Sequence, residues 1–310
     1  LAWPTTQSGR VTEGRAYITM IAPQDNTEVT VETTAPIAAG GGVAQMASGD
    51  SRTFTLARGE VLSLSTPNES GHDLSGSTVT STKPIAVFSG NECADVPVGT
   101  AACDHLEQQM IPTDTWGTSY VAARFEPRGD EVNVYRVIAT TSDTQVNFSP
   151  AVDGNSQVTL DADSVLEFET KENFEIDATQ PVLLGQWMVG ASAEDVCSGF
   201  GCFDAPGDPA FLLNPPTRQY RSSYTFLIPA GFDQNFASIA APTGAQVSVD
   251  GQAVSASPTA ISGTNWEVYR VALSNGVHRV ESNQPVGLTV HGYQTYVSYA
   301  YPGGMKLESR

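Results

Sequence analysis

Residues 83–116 read KPIAVFSGNECADVPVGTAACDHLEQQMIPTDTW, and the plan of this stretch organises the rest of the chain. Pro84-Ile85-Ala86-Val87-Phe88 is a short apolar run held between a proline and Gly90, the pattern of a core strand. Behind it comes a stretch rich in Gly, Pro, Asp and Ala, with Cys93 and Cys103 near its ends and Asp104-His105-Leu106-Glu107 directly after. The chain then returns through Pro112-Thr113 to Trp116 and a new strand.

The plan recurs. Three phrases of the YITMIAP…VTV type occupy residues 17–31, 135–148 and 236–249, and two of them run into Asp153-Gly154 and Asp250-Gly251. Asp-Gly between alternating strands marks a tight hairpin, because both turn positions favour positive φ. Three proline-led strands start at Pro84, Pro181 and Pro285, 97 and 104 residues apart. A Pro-Thr-x-x-aromatic-x-x-Ser-Tyr phrase spans Pro112 to Tyr120 and returns from Pro216 to Tyr224. Val, Thr, Ile, Tyr and Phe alternate with polar residues throughout, and turn residues interrupt every eight to twelve positions, leaving little room for helices. The expected fold is all-β, with three internally repeated β-sandwich-like units packed together. Their expected bounds are 1–111, lacking its opening strand, 112–215 and 216–310. No long Pro- or Ser-rich linker separates them.

The 310 residues include 34 acids against 15 bases, a formal net charge of −19. Such a surface repels phosphate backbones and anionic lipid, which sets aside nucleic acid as a partner. No run of 18 apolar residues exists for a spanning helix, so direct membrane insertion is not expected. The abrupt opening at Leu1-Ala2-Trp3 suggests a mature or excised segment. An even four cysteines in loop-like surroundings favour disulfides and an extracellular, oxidising compartment. Local pairing, Cys93 with Cys103 and Cys197 with Cys202, is preferred; a cross-pairing between the two loops stays open.

Function is expected where the repeats differ. Between Pro84 and Pro112 lie 27 residues and between Pro181 and Pro216 lie 34, each excursion holding two cysteines, and the third copy has no equivalent. Long loops on a rigid scaffold commonly carry binding. Asp95, Asp104, His105 and Glu107 in the first excursion and Asp195, Asp204 and Asp208 in the second are the candidate ligand-binding residues. Their carboxylates also suit calcium, which takes hard oxygen ligands, although no EF-hand pattern occurs. The competing account is that Asp favours turns by bonding to nearby backbone N–H groups. His105 reads better as a partly buried structural residue than as a catalyst, since neither a G-x-S-x-G elbow nor an H-E-x-x-H motif is present. Trp116, Trp187 and Trp266 read as core, and the cluster from Tyr293 to Tyr301 reads as core or as a stacking platform.

The runs PIAVFSGNEC, ACDHLEQQ and PTDTWG, with Tyr135-Arg136-Val137-Ile138-Ala139 and Ser298-Tyr299-Ala300-Tyr301-Pro302-Gly303-Gly304, resemble the N-terminal domain family of the IgG Fc-binding protein, which has bacterial surface relatives. The resemblance implies a non-enzymatic recognition or adhesion module. The expectation is therefore a secreted or cell-surface module of a larger adhesin that binds a host or neighbouring-cell protein or glycan. Its rivals are a structural spacer and, further off, a carbohydrate-active enzyme built on two carboxylates.

Overall fold

The computed structural model describes residues 1–6, 14–101, 103–193, 195–196 and 205–309. Among them there is no α-helix, and the chain is all-β, with two single-turn 3-10 helices at Thr113–Thr115 and Thr217–Gln219. It divides into two compact units, Leu1–Ile111 and Pro112–Arg310.

The first unit contains β1 (Ala16–Ile21), β2 (Thr27–Glu32), β3 (Ser51–Leu56), β4 (Val61–Ser65), β5 (Thr78–Ser81), β6 (Ala86–Ala94) and β7 (Asp104–Gln109). They form two antiparallel sheets, ordered β4-β1-β6-β7 and β3-β2-β5. β2 shows why: Thr27, Val29 and Val31 are buried while Glu28 and Glu32 are exposed, the period-2 alternation of a strand with one dry face. Val29 and Val31 meet Ile18, Met20, Leu56 and Leu64 in a core drawn from both sheets.

The second unit begins with β8 (Gly117–Ala122), β9 (Asn133–Ala139), β10 (Thr144–Val152), β11 (Asn155–Leu160), β12 (Val165–Thr170), β13 (Phe174–Met188) and β14 (Ala210–Leu213). It continues with β15 (Arg221–Ile228), β16 (Gln234–Pro242), β17 (Val247–Val249), β18 (Gln252–Ala253), β19 (Thr259–Ala260), β20 (Trp266–Ala272), β21 (Gly276–Gln294) and β22 (Val297–Pro302). β13 is long because it serves two layers. Its first half pairs with β8 and β10, and its second half with β9 and β14. β21 does the same with β15 and β17, then with β16 and β22. Pro181 and Pro285 stand at these changeovers, where a residue without an N–H costs no ladder bond; in the first unit Pro84 falls between β5 and β6.

The tyrosine phrase locks onto these prolines. The Tyr120 hydroxyl accepts the Gly117 N–H and donates to the Val182 carbonyl. The Tyr224 hydroxyl likewise accepts from Arg221 and donates to Val286. In each case the acceptor is the residue after the proline, so two distant phrases recur because they bond to each other. Asp153-Gly154 and Asp250-Gly251 turn the chain between β10 and β11 and between β17 and β18, all four residues at positive φ.

Within the second unit, the β8–β14 and β15–β22 stretches share two apolar clusters. One joins Val121 and Ala123 to Tyr220, Ile261 and Val268, and the other joins Phe125, Met188 and Leu212 to Tyr293. His291 lies wholly buried against Phe125 and Phe236, with Nε2 accepting the Glu126 N–H at 2.9 Å. Burial pushes its pKa down to about 3, helped by Arg270 and Arg128, so it packs as a neutral ring.

Candidate functional site

The first excursion is mostly not a loop. β6 and β7 pair from Phe88↔Gln109 to Ala94↔Asp104, with an irregularity between Asn91 and Ala94, and they make a hairpin at the edge of their sheet. Asp104, His105 and Glu107 therefore sit on a strand, correcting their expected loop placement. The alternation of Leu106 inward with His105 and Glu107 outward follows from the pleat.

Cys93 and Cys103 are disulfide-bonded across the base of the tip, with Cα atoms 5.1 Å apart. The tip carries Val98, 59% exposed, and Gly99 at positive φ. Its base is strapped by the N-terminal run: Trp3 Nε1 donates to the Asp95 carbonyl at 2.7 Å and Thr6 Oγ1 to the Cys93 carbonyl. The Asn91 side chain donates to the Pro4 carbonyl and accepts from the Cys93 N–H.

On the outer face, the Tyr17 hydroxyl donates to Glu107 Oε2 at 3.1 Å and lies 3.3 Å from His105 Nε2, the two rings stacked. Gly90 makes this possible, because a Cβ there would meet the Leu106 carbonyl at 2.1 Å and the Tyr17 hydroxyl at 2.5 Å. Burial, then the Glu107 and Glu92 charges, push the Tyr17 phenol well above its usual range. His105 is exposed and bonds to the Tyr17 side chain, which corrects its expected partial burial. Asp104 accepts its neighbour's N–H, and burial raises its pKa.

Asp95 does not reach this surface. It is 1% exposed, its Oδ1 has no hydrogen-bond partner, and burial raises its pKa. The hairpin thus presents His105 and Glu107, both held by the hydroxyl of the buried Tyr17 of β1, and carries the exposed Val98 at its tip.

In the second unit, Cys197, Cys202 and Asp204 lie outside the described residues. Asp208 is buried and accepts the Ala191 N–H at Oδ1, while its own N–H donates to Ser298 Oγ. Asp195 is exposed; its carbonyl accepts the Asp130 N–H, and its carboxylate lies 3.7 Å from Lys171 Nζ. The two described acids thus serve the loop's own architecture.

Two residues that no motif announces hold the neck of this excursion. Arg128 donates to the Val189 carbonyl at 2.8 Å on one limb and to the Pro206 carbonyl at 3.2 Å on the other, and its guanidinium lies over the Tyr293 ring. Glu131 pairs with Arg128 at 3.2 Å, both side chains 3% exposed or less. Burial opposes ionisation of Glu131, but the Arg128 and Gly129 N–H donors and the Arg128 charge hold its pKa low. A sequence signal existed only in the rarity of bases in an acidic chain. Among the described residues, His, Cys, Asp and Glu form no group of three placed to hold a metal ion. None of the described helices is long and apolar enough to cross a membrane.

Fold and site together define an all-β protein of paired antiparallel sheets, with a disulfide-closed hairpin at one sheet edge. The family model described as IgGFc binding protein matches residues 2–292, and the chain belongs to that family. It is similar to the human IgGFc-binding protein, with 27% identity over 238 residues, covering 75% of this chain and 4% of the relative. The chain thus spans a small fraction of that relative's length. A solved anti-sigma factor domain-containing protein aligns over 71% of this chain and 82% of its own at 9% identity, with a TM-score of 0.17, and carries no argument here.

Proposed function

We propose that this chain is an extracellular recognition module of a larger surface protein, binding a protein or glycan of a host or neighbouring cell without chemistry on it. The observation that carries the reading is membership, over residues 2–292, of a family named for binding. The disulfide agrees with an oxidising compartment. The same order of strand pairing in residues 1–111, 112–215 and 216–310 supports three copies of one sandwich. The proposed surface is the β6–β7 hairpin with His105, Glu107 and the tip at Val98, the buried Tyr17 fixing the first two in place. The exposed Asp195 marks a second candidate surface, and calcium is a candidate aid to either.

The human relative is named for binding IgG Fc, which makes Fc the first protein ligand to test. The chain, immobilised with its disulfides intact, is exposed to human IgG Fc and to a glycan array, with calcium and with chelator. Saturable binding that disappears when residues 95–102 become a Gly-Ser bridge, with the circular dichroism unchanged, is the expected result. Binding that survives this replacement moves the site off the hairpin. Absence of binding to every glycan and to Fc removes the adhesion reading.

A further inference from the structure

We infer that the outer edge of β4 is a docking groove for an extended segment of a partner protein, which joins the β4-β1-β6-β7 sheet as a fifth strand. This surface is at the opposite edge of the sheet from the β6–β7 hairpin, so it does not depend on the site proposed above.

The hydrogen-bond register shows what β4 leaves open. Ala22 N–H donates to the Glu60 carbonyl and Thr66 N–H to the Ala16 carbonyl, with Ile18↔Leu64 and Met20↔Leu62 paired between them. Backbone groups alternate sides along an antiparallel strand, so the N–H and C=O of Val61, Ser63 and Ser65 point away from β1. Ala38 N–H takes the Ser65 carbonyl at 2.9 Å. Among the described residues, the outward groups of Val61 and Ser63 and the outward N–H of Ser65 have no partner. Beyond Ala38 the chain turns away into the small ribbon bridged at Ile37↔Met46 and Gly40↔Val43. Between ribbon and strand lies a groove of about 340 Å³, lined by Arg15, Ile37, Val43, Val61 and Ser63 among others.

A row of alternating backbone donors and acceptors is matched by another extended backbone and by no other common ligand. The molecule itself supplies the comparison. β20 holds in its sheet the place that β4 holds here, next to β16 as β4 is next to β1, and its outer edge is covered by β19 through Thr259↔Val268 and Ala260↔Glu267. β12, in the same place beside β9, carries Glu167 and Glu169, charges of the kind that discourage strand addition. β4 reads Val61-Leu62-Ser63-Leu64-Ser65, with no charge and no proline, and Val61 is 55% exposed at the groove. The formal net charge of −19 disfavours an acidic strand. The occupant is therefore a neutral or basic segment with an apolar side chain against Val61 and Val43.

Amide hydrogen exchange on the full chain tests this with a capped heptapeptide alternating Val and Thr and ending in Lys at both sides. Without peptide, the Val61, Ser63 and Ser65 amides exchange freely, whereas Leu62 and Leu64 are protected. With peptide, the three outward amides slow by about tenfold or more, which is local protection without a change of fold. The same peptide N-methylated at alternate residues leaves them fast. Ser63→Pro, which removes the outward N–H together with the Ser63 hydroxyl bonded to Thr19 Oγ1, abolishes the peptide effect and keeps Leu62 and Leu64 protected, whereas Ser63→Ala, which loses the hydroxyl alone, retains the effect. Three results overturn the proposal: outward amides already slow in the dilute free protein, no protection by the unmethylated peptide, or equal protection by the methylated one. Protection that grows with protein concentration alone assigns the groove to a second copy and overturns the partner as well.

Discussion

At Asp95 a carboxyl group is buried beside a disulfide with one oxygen unbonded. Burial raises its folded pKa above the ordinary 3.8, so the folded state disfavours the ionised form. No penalty exists below the ordinary value; it accumulates as pH rises through that value towards the folded one and is constant above. Asp95→Asn should therefore match the parent near pH 3 and exceed its stability at pH 7 by about 1–3 kcal/mol, the scale for one unsatisfied buried polar group. Urea melts at the two pH values measure this directly, and equal differences at both would refute it. Gly90 gives the opposite expectation. Its Cβ position lies 2.1 Å from a backbone carbonyl, and Gly90→Ala should destabilise the first unit by about 1–3 kcal/mol, the usual cost of overpacking. The fluorescence of Trp3, buried in the same unit, would report its unfolding, and an unchanged midpoint would contradict the close approach.

Among elements, the two excursions are held in different ways. The β6–β7 tip is closed by a ten-residue disulfide loop, and replacing both cysteines by serine should cost about 2–3 kcal/mol by the chain-entropy relation. The strand pairs below should persist, as amide exchange at Leu106 and Glu107 would show. The neck of residues 189–208 hangs on Arg128. Arg128→Ala leaves Glu131 buried without its cation and frees two carbonyls on opposite limbs. A loss of about 3–5 kcal/mol in the second unit follows from stranding one member of a buried pair. The double change Arg128→Met with Glu131→Gln should recover part of it, since no charge is then left alone and the glutamine still offers an acceptor to the N–H groups of residues 128 and 129. Equal losses for the single and double variants would show that the pair is not what holds the neck.

For the whole molecule, the consequence lies in where the chain can be divided. The division between the compact units falls between Ile111 and Pro112 in the chain, and the apolar clusters within the second unit join residues on both sides of position 215. Fragments 1–111 and 112–310 should each give a soluble, cooperative melt. Fragments cut at 215 would expose Phe125, Met188 and Leu212 on one side and Tyr220, Ile261 and Tyr293 on the other, and should aggregate. Size-exclusion chromatography of the four fragments decides it. A monomeric, cooperatively folded 112–215 would show that the interface is dispensable.

The sequence by itself determined the all-β class, the turn positions and the acidic surface, because each is written locally. Period-2 burial is visible in Thr27–Glu32, positive φ is announced by Asp153-Gly154 and Asp250-Gly251, and charge needs only counting. It also determined the family resemblance carried by residues 83–116, and the recurrence of the Pro and Tyr phrases, although the bond from Tyr120 to Val182 that explains this recurrence could not be seen. Only the tertiary structure decided which side chains meet. Tyr17 reaches His105 and Glu107 across some 90 residues, Arg128 reaches Pro206, and Asp95 is turned inward while its neighbours on β7 face outward. The reason is register: side chains alternate faces, so a shift of one residue between distant strands would exchange the buried and exposed sets. That register is set by pairing over the whole sheet, as is the question of which strand edges stay open.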